Sequence, residues 1–200
     1  MEEWLERTLQ YFAGKDAAQL VIRVHPGEVL IHGQSMMDVV HRVLPKLPDN
    51  IHVIGPEEKV NTYDLIAAAD LGLVYTTTVG LEMAMSGVPV IVAGETHYRG
   101  RGFTQDPTGW VQYYKSIKAV LDDPAAFKLE KDQIELAWAY AYRFFFNFPL
   151  PFPYHLVHLW DDYREQSLKD IFSPKHWQKH EAVFQYLSGT PIDWNAVKEE

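Results

Sequence analysis

The sequence predicts an α/β protein with a doubly wound parallel sheet, followed by a helical C-terminal extension. Two observations support this prediction. Short apolar runs, typical of strands, alternate with helical patterns across residues 1–107, and the connections between them are short. The strand runs are nearly continuously apolar, which indicates a sheet covered on both faces. Residues 108–200 show helical patterns and many aromatic side chains. We therefore expect a Rossmann-like domain over 1–107, with 108–200 packing on it.

The individual elements follow from local patterns and stop signals. Apolar runs that end at Gly or Pro, or that lead into a helical pattern, predict strands at residues 20–24, 51–54, 71–75 and 88–92. Helical spacing with capping residues predicts helices at residues 36–44, 62–69, 79–86, 109–121 and 131–145. Short connections between parallel strands and helices imply right-handed crossovers.

Composition excludes several classes of protein. The 200 residues are 47% hydrophobic and 14% aromatic, so the chain can bury a core. The absence of cysteine excludes disulfides and thiolate chemistry. A net charge of −9 without a basic run disfavours a general nucleic-acid binder. No apolar stretch approaches the ~20 residues of a membrane span. We expect a cytoplasmic protein, with peripheral attachment at the inner membrane as the alternative.

Distinctive segments follow three of the predicted strands. They are Arg23–Pro26, Tyr75–Glu82 and Ala93–Tyr98. Because ligands of open parallel sheets bind beyond the carboxyl ends of the strands, we expect these segments to meet at one rim. The rim is the candidate ligand site.

Three successive threonines, Thr76, Thr77 and Thr78, lie where a strand passes into a helix. Their hydroxyls and the first-turn amides can hold an anion, or one threonine can simply cap the helix. Gly80 would allow a phosphate to approach the backbone. Glu82 could accept hydrogen bonds from ribose hydroxyls, or contribute only to the helix dipole.

Further candidates lie on the neighbouring loops. His25 could contact a phosphate or protonate a leaving group, and is the predicted catalytic residue. Arg23 could contribute to the same candidate ligand site at the rim, or could simply lie at the surface. Tyr98 and Arg101 belong to a segment of glycines and arginines that could close over a diphosphate, or be a solvated loop. No metal site is expected, since a His155–His158 pair lacks a third ligand.

The segments Val21–Pro26, Val60–Ile66, Tyr75–Glu82 and Gly87–Val90 resemble capsule polysaccharide biosynthesis proteins, including the Kdo transferases of capsule assembly. The resemblance covers about residues 18–107. It implies the C-terminal, nucleotide-sugar-binding half of a GT-B glycosyltransferase acting in capsule or surface polysaccharide biosynthesis. By this resemblance His25, Thr76 and Thr77 would hold the nucleotide phosphate, and Glu82 would lie by the ribose.

The resemblance also implies partners and leaves alternatives open. The donor would be a CMP- or UDP-linked sugar, bound as substrate without a further cofactor, and the acceptor a saccharide. The family usually has a serine among these hydroxyls, and here all three are threonines. A GT-B enzyme needs a second Rossmann-like domain, whereas about 17 residues precede the first strand. We therefore expect a missing domain or a partner chain, weak nucleotide binding and little transfer by this chain alone. The alternatives are half of a UDP-N-acetylglucosamine 2-epimerase-like enzyme, and a non-catalytic sugar-nucleotide-binding or scaffold subunit.

Overall fold

A computed structural model describes residues 1–30, 35–150, 152–154 and 159–193. The chain divides into two compact units, Met1–Tyr140 and Ala141–Glu200. The histidine pair His155 and His158 lies outside the described residues.

Helices and strands alternate through the first unit. Its strands are β1 (Leu20–Arg23), β2 (Ile51–Ile54), β3 (Gly72–Val74) and β4 (Val90–Val92). The helices that begin in it are α1 (Glu2–Phe12), α2 (Met36–Val43), α3 (Thr62–Ala68), α4 (Val79–Met85), α5 (Trp110–Asp122) and α6 (Lys131–Tyr142). The predicted strands and helices are confirmed to within two residues at each end, except that the end of α6 continues as a π-helical turn over Arg143–Asn147. Helix α1 was not predicted.

The strands pair in parallel, as predicted, and the α/β class is confirmed. In the described residues they form two two-stranded sheets, β1 with β2 and β3 with β4. Leu20 pairs with Ile51 in the first, and Gly72 with Val90 in the second. A single doubly wound sheet is not observed across the described residues, because no backbone ladder connects the two pairs. Gln105 adds a one-residue parallel bridge to Ile91 of β4.

One apolar core joins both sheets to three helices. Its buried members come from α1, α2, α5 and three strands, and they include Leu9, Val39, Leu20, Ile51, Ile91 and Ile117. In α1, Leu5, Leu9 and Phe12 share one face because they are spaced at three and four residues. Helix α5 belongs to this unit because Tyr113 and Ile117 are buried in the same core. The contacts therefore divide the chain after Tyr140, whereas the sequence pattern changes at residue 107.

The second unit contains the helices α7 (Leu159–Glu165), α8 (Leu168–Ile171) and α9 (Pro174–Leu187). The ring of Phe172, at the end of α8, lies 5.5 Å, centroid to centroid, from that of Phe184 on α9. Several other aromatic side chains are exposed, and Phe146 and Trp160 are each 73% exposed. Across the described parts of both units, no helix is both long and apolar enough to cross a membrane.

Candidate functional site

The loop between β3 and α4 presents the three threonines to solvent. Thr76, Thr77 and Thr78 are all exposed. The Thr77 Oγ1 accepts a hydrogen bond from the Val79 amide at 3.3 Å, whereas the Thr78 side chain makes no cap. Within the described residues the Thr76 and Thr78 hydroxyls have no hydrogen-bond partner. One threonine therefore serves the helix, and two hydroxyls are available to a ligand.

Tyr98, which follows β4, lies beneath this loop. Its side chain is fully buried, and its hydroxyl donates a hydrogen bond to the Thr77 carbonyl at 2.5 Å. Burial raises the pKa of Tyr98 to about 12, so the hydroxyl keeps its proton at any ordinary pH. The sequence predicted Tyr98 in a loop that closes over the ligand, and the structure places the ring in the interior.

Gly80 packs directly against Tyr98. A Cβ atom at Gly80 would overlap the Tyr98 hydroxyl and would lie 2.9 Å from Val74 Cγ2. The prediction explained this glycine by the approach of a phosphate. The structure gives another reason, since the contact between α4 and Tyr98 leaves no room for a side chain.

The end of β4 also touches the end of β3 through Gly94. The Gly94 amide donates to the Tyr75 carbonyl at 3.1 Å. A Cβ atom at Gly94 would lie 2.6 Å from that carbonyl oxygen. The loops after β3 and β4 therefore meet at one rim, where the sequence predicted that the segment after β1 would lie as well.

His25 lies at the end of β1, in an exposed turn. Its Nδ1 accepts a hydrogen bond from the Gly27 amide at 2.9 Å. An Nδ1 that accepts carries no proton, so the neutral ring has its proton on Nε2. The imidazole is thus oriented to donate from Nε2.

Arg23 connects the ends of β1 and β2. Its Nη1 donates to the carbonyls of Val24 at 3.0 Å and Gly55 at 2.7 Å, and its Nη2 to the Glu58 carbonyl at 3.3 Å. The Arg23 Nε is buried without a partner in the described residues. The guanidinium therefore fastens the loop after β2, and most of its donors are already used.

Arg23→Ala is expected to lower the free energy of unfolding by about 1–3 kcal/mol, because the carbonyls it serves lose their donors. Urea denaturation followed by circular dichroism measures this loss. Arg143→Ala is the control, because that exposed side chain has no partner among the described residues. Equal stability of the two variants would contradict the structural role of Arg23.

Glu82 lies half-buried on α4, and its carboxylate changes the pKa of Tyr63 on α3. Its carboxylate raises the pKa of Tyr63, first through a hydrogen bond to the phenol and then through its charge. Tyr63 is 63% exposed, although it is a large aromatic residue. Sequence reasoning did not select Tyr63, and the available signal was an aromatic residue in the first turn of a helix that follows a strand.

The segment after β4 holds its two arginines differently. Arg99 donates to the carbonyls of Val92 at 2.6 Å and Pro107 at 2.6 Å, so it fixes the loop. Arg101 is exposed, with its guanidinium 5.7 Å from the centroid of the Tyr140 ring. The sequence predicted a flexible cationic loop here, and the hydrogen bonds of Arg99 instead hold the loop in place. Of the two arginines, Arg101 is the one exposed to solvent.

The structure connects some of the predicted residues and not others. Tyr98 hydrogen-bonds to the threonine loop, and the Glu82 carboxylate raises the pKa of Tyr63 on α3. No hydrogen bond joins His25 or Arg101 to the threonines within the described residues. In that same part of the chain, no three His, Asp or Glu side chains converge to hold a metal.

A shallow cavity of about 380 Å³ lies elsewhere, between α5 and the segment after β4. Its lining includes Gln105, Asp106, Gln112 and Lys115, and none of the predicted site residues. The Asp106 carboxylate is already bonded to the Gly100 amide and the Thr104 hydroxyl. The strand-end rim is thus the better candidate site.

Comparison with known proteins gives the same assignment as the motifs. The family model for capsule polysaccharide biosynthesis proteins matches residues 1–122, which is more than half of the chain and includes every candidate site residue. A search of curated proteins and a search of solved structures found no match. Because the matched region covers more than half of the chain, the chain belongs to the capsule polysaccharide biosynthesis protein family.

Proposed function

We propose that the first unit binds the phosphate of a nucleotide-sugar, as the donor half of a GT-B glycosyltransferase in capsule or surface polysaccharide biosynthesis. One observation carries the proposal. The hydroxyls of Thr76 and Thr78 are exposed and have no partner among the described residues, and they lie just beyond the carboxyl end of a parallel strand, where such folds bind ligands. Membership of the family supports the same reading.

The chemistry fits an anion held by local donors. A chain of net charge −9 does not attract a phosphate through its overall field. The exposed hydroxyls of Thr76 and Thr78 supply neutral donors. His25 would add an Nε2 proton, given to a phosphate oxygen or to the leaving group. Arg101 is the exposed cation that could approach a diphosphate.

The nucleoside would lie toward α3. Glu82 is the acceptor that could hold vicinal ribose hydroxyls, and its carboxylate lies close enough to Tyr63 to raise the pKa of that phenol. The exposed ring of Tyr63 is available beside it for contact with a base. A CMP- or UDP-linked sugar is the proposed donor, bound as substrate.

A doubly wound arrangement of the strands is part of this proposal. Its support is that Leu20 and Ile51 of one sheet share a core with Ile91 of the other, beneath the same helices. The ring of Trp4 also lies 5.6 Å, centroid to centroid, from that of Tyr75 at the end of β3.

The donor half of a GT-B enzyme needs a second Rossmann-like domain or a partner chain to bind the saccharide acceptor, so we expect little transfer by this unit alone. The proposed location is cytoplasmic.

Calorimetric titration with CMP, CDP, UDP and GDP tests the function. We expect measurable binding of a cytidine or uridine nucleotide. Thr76→Val or Thr78→Val is expected to raise the Kd about 10-fold or more, because each removes a hydrogen bond to a charged group. His25→Ala is expected to have a comparable effect. Thr190→Val, at an exposed threonine of the second unit, is the matched control.

The outcomes separate the alternatives. CMP preference supports a Kdo-transferase-like donor site, and UDP preference favours an epimerase-like or UDP-sugar enzyme. Absence of binding at millimolar nucleotide would overturn the proposal and leave the scaffold subunit. The scaffold alternative rests on the exposed aromatic side chains of the second unit, such as Phe146 and Trp160.

A further inference from the structure

Residues that follow β4 donate hydrogen bonds to the backbone of the loop that carries the threonines. Tyr98 donates to the Thr77 carbonyl at 2.5 Å, and Gly94 donates to the Tyr75 carbonyl at 3.1 Å. Both contacts act on the backbone of the threonine loop, one on each side of Thr76. The backbone that presents the hydroxyls is therefore set by residues about 20 positions away in the sequence.

Of these contacts, the Tyr98 hydroxyl is the one made by a side chain. The phenol is fully buried and remains protonated, because burial raises its pKa to about 12. Gly80 closes the other side of the hydroxyl, where even a Cβ atom would overlap it. The donor therefore has little freedom to move, and the Thr77 carbonyl is fixed with it.

The position of Tyr98 excludes direct contact with a ligand in this arrangement. A side chain with no exposed surface cannot reach a solvent-exposed nucleotide. The Thr77 carbonyl that it holds, however, lies between the Thr76 and Thr78 hydroxyls along the chain.

We propose that Tyr98 is a positioning residue for the nucleotide: its buried hydroxyl holds the Thr77 carbonyl and thereby orients the Thr76 and Thr78 hydroxyls toward the phosphate. This inference rests on the proposed function. It assigns Tyr98 a role distinct from that of the residues that touch the ligand.

Tyr98→Phe is the test, because it removes the hydroxyl and keeps the ring. Tyr113→Phe is the matched control, because Tyr113 is also buried and its hydroxyl bonds Trp4 Nε1 at 2.8 Å and the Thr8 hydroxyl at 2.9 Å. Both variants remove one phenol oxygen from the same unit. We expect both to lower the melting temperature, and only Tyr98→Phe to raise the Kd for CMP, by about 5- to 10-fold.

Two further measurements distinguish a positioning role of Tyr98 from a general loss of stability in the variant. Hydrogen–deuterium exchange without ligand is expected to accelerate at the amides of residues 77–81 in Tyr98→Phe and not in Tyr113→Phe. Cytidine, which lacks the phosphate, is expected to lose much less affinity than CMP in Tyr98→Phe when both are followed by NMR titration.

Equal weakening of CMP binding by the two tyrosine variants would overturn the inference, as would unchanged exchange at residues 77–81 in Tyr98→Phe. Failure of the proposed function looks different. If the wild-type chain binds no nucleotide, that function is overturned, while locally accelerated exchange would still support Tyr98 as the residue that holds the threonine loop.

Discussion

Gly80→Ala is expected to lower the free energy of unfolding by about 2–3 kcal/mol, which is large for the addition of one methyl group. The new Cβ atom would overlap the Tyr98 hydroxyl and crowd Val74 Cγ2 at 2.9 Å. Neither neighbour moves freely, since both are buried. Urea denaturation measures the loss, and nucleotide titration should show weaker binding because the threonine loop must shift.

A second substitution tests the cause. With Tyr98→Phe in place, the nearest ring atom to the new Cβ is Cζ, at 3.2 Å. The double variant should therefore be more stable than Gly80→Ala alone, although Tyr98→Phe by itself is destabilising. Gly14→Ala is the control, because among the described residues no atom beyond the chain neighbours lies within 4 Å of a Cβ atom there. Additive losses in the double variant would show that the overlap is not the origin of the effect.

Stability is also expected to fall steeply between pH 10 and pH 12. Burial raises the pKa of both Tyr98 and Tyr113 from 10.0 to about 12. In this range the unfolded chain has released the two protons that the folded chain still holds, so rising pH favours unfolding. The expected slope is roughly 1.4 kcal/mol per pH unit for each tyrosine, and the sum reaches several kcal/mol by pH 12.

Denaturant titrations at a series of pH values measure this slope. Tyr113→Phe and Tyr98→Phe should each flatten the curve, because each removes one of the two groups. Tyr186→Phe, at an exposed position of the second unit, should leave the slope unchanged. A Tyr113→Phe curve parallel to wild type would contradict the role given to that phenol.

Most of the first unit could be predicted from local sequence. The apolar runs at Leu20–Arg23 and Ile51–Ile54 became strands, and Asn61 caps α3 by accepting from the Tyr63 amide at 2.9 Å. Periodicity and capping are read from neighbouring residues, so these predictions needed no tertiary information. The sheet order is different, since short strands of three or four residues form few ladder bonds and their pairing depends on the whole core.

The candidate site shows the same division. The pattern of an apolar run followed by a helical segment is enough to place Thr76–Thr78 between a strand and a helix, where they are exposed. The roles of Arg23 and Tyr98 do not, because their partners are the Gly55 and Thr77 carbonyls, 32 and 21 residues away. A sequence gives the donor and does not reveal which carbonyl it will reach. For both residues the sequence predicts a place in the ligand site, and the structure adds a distant backbone partner that the sequence pattern does not indicate.

The contact between Gly80 and Tyr98 also has an evolutionary consequence. Because the hydroxyl fills the space that a Cβ atom at position 80 would need, the two positions are not free to vary independently. Among relatives, a residue larger than glycine at position 80 should occur with a side chain at position 98 that lacks this hydroxyl. An alignment of the family would show the pair as correlated substitutions, with glycine retained wherever the tyrosine is retained.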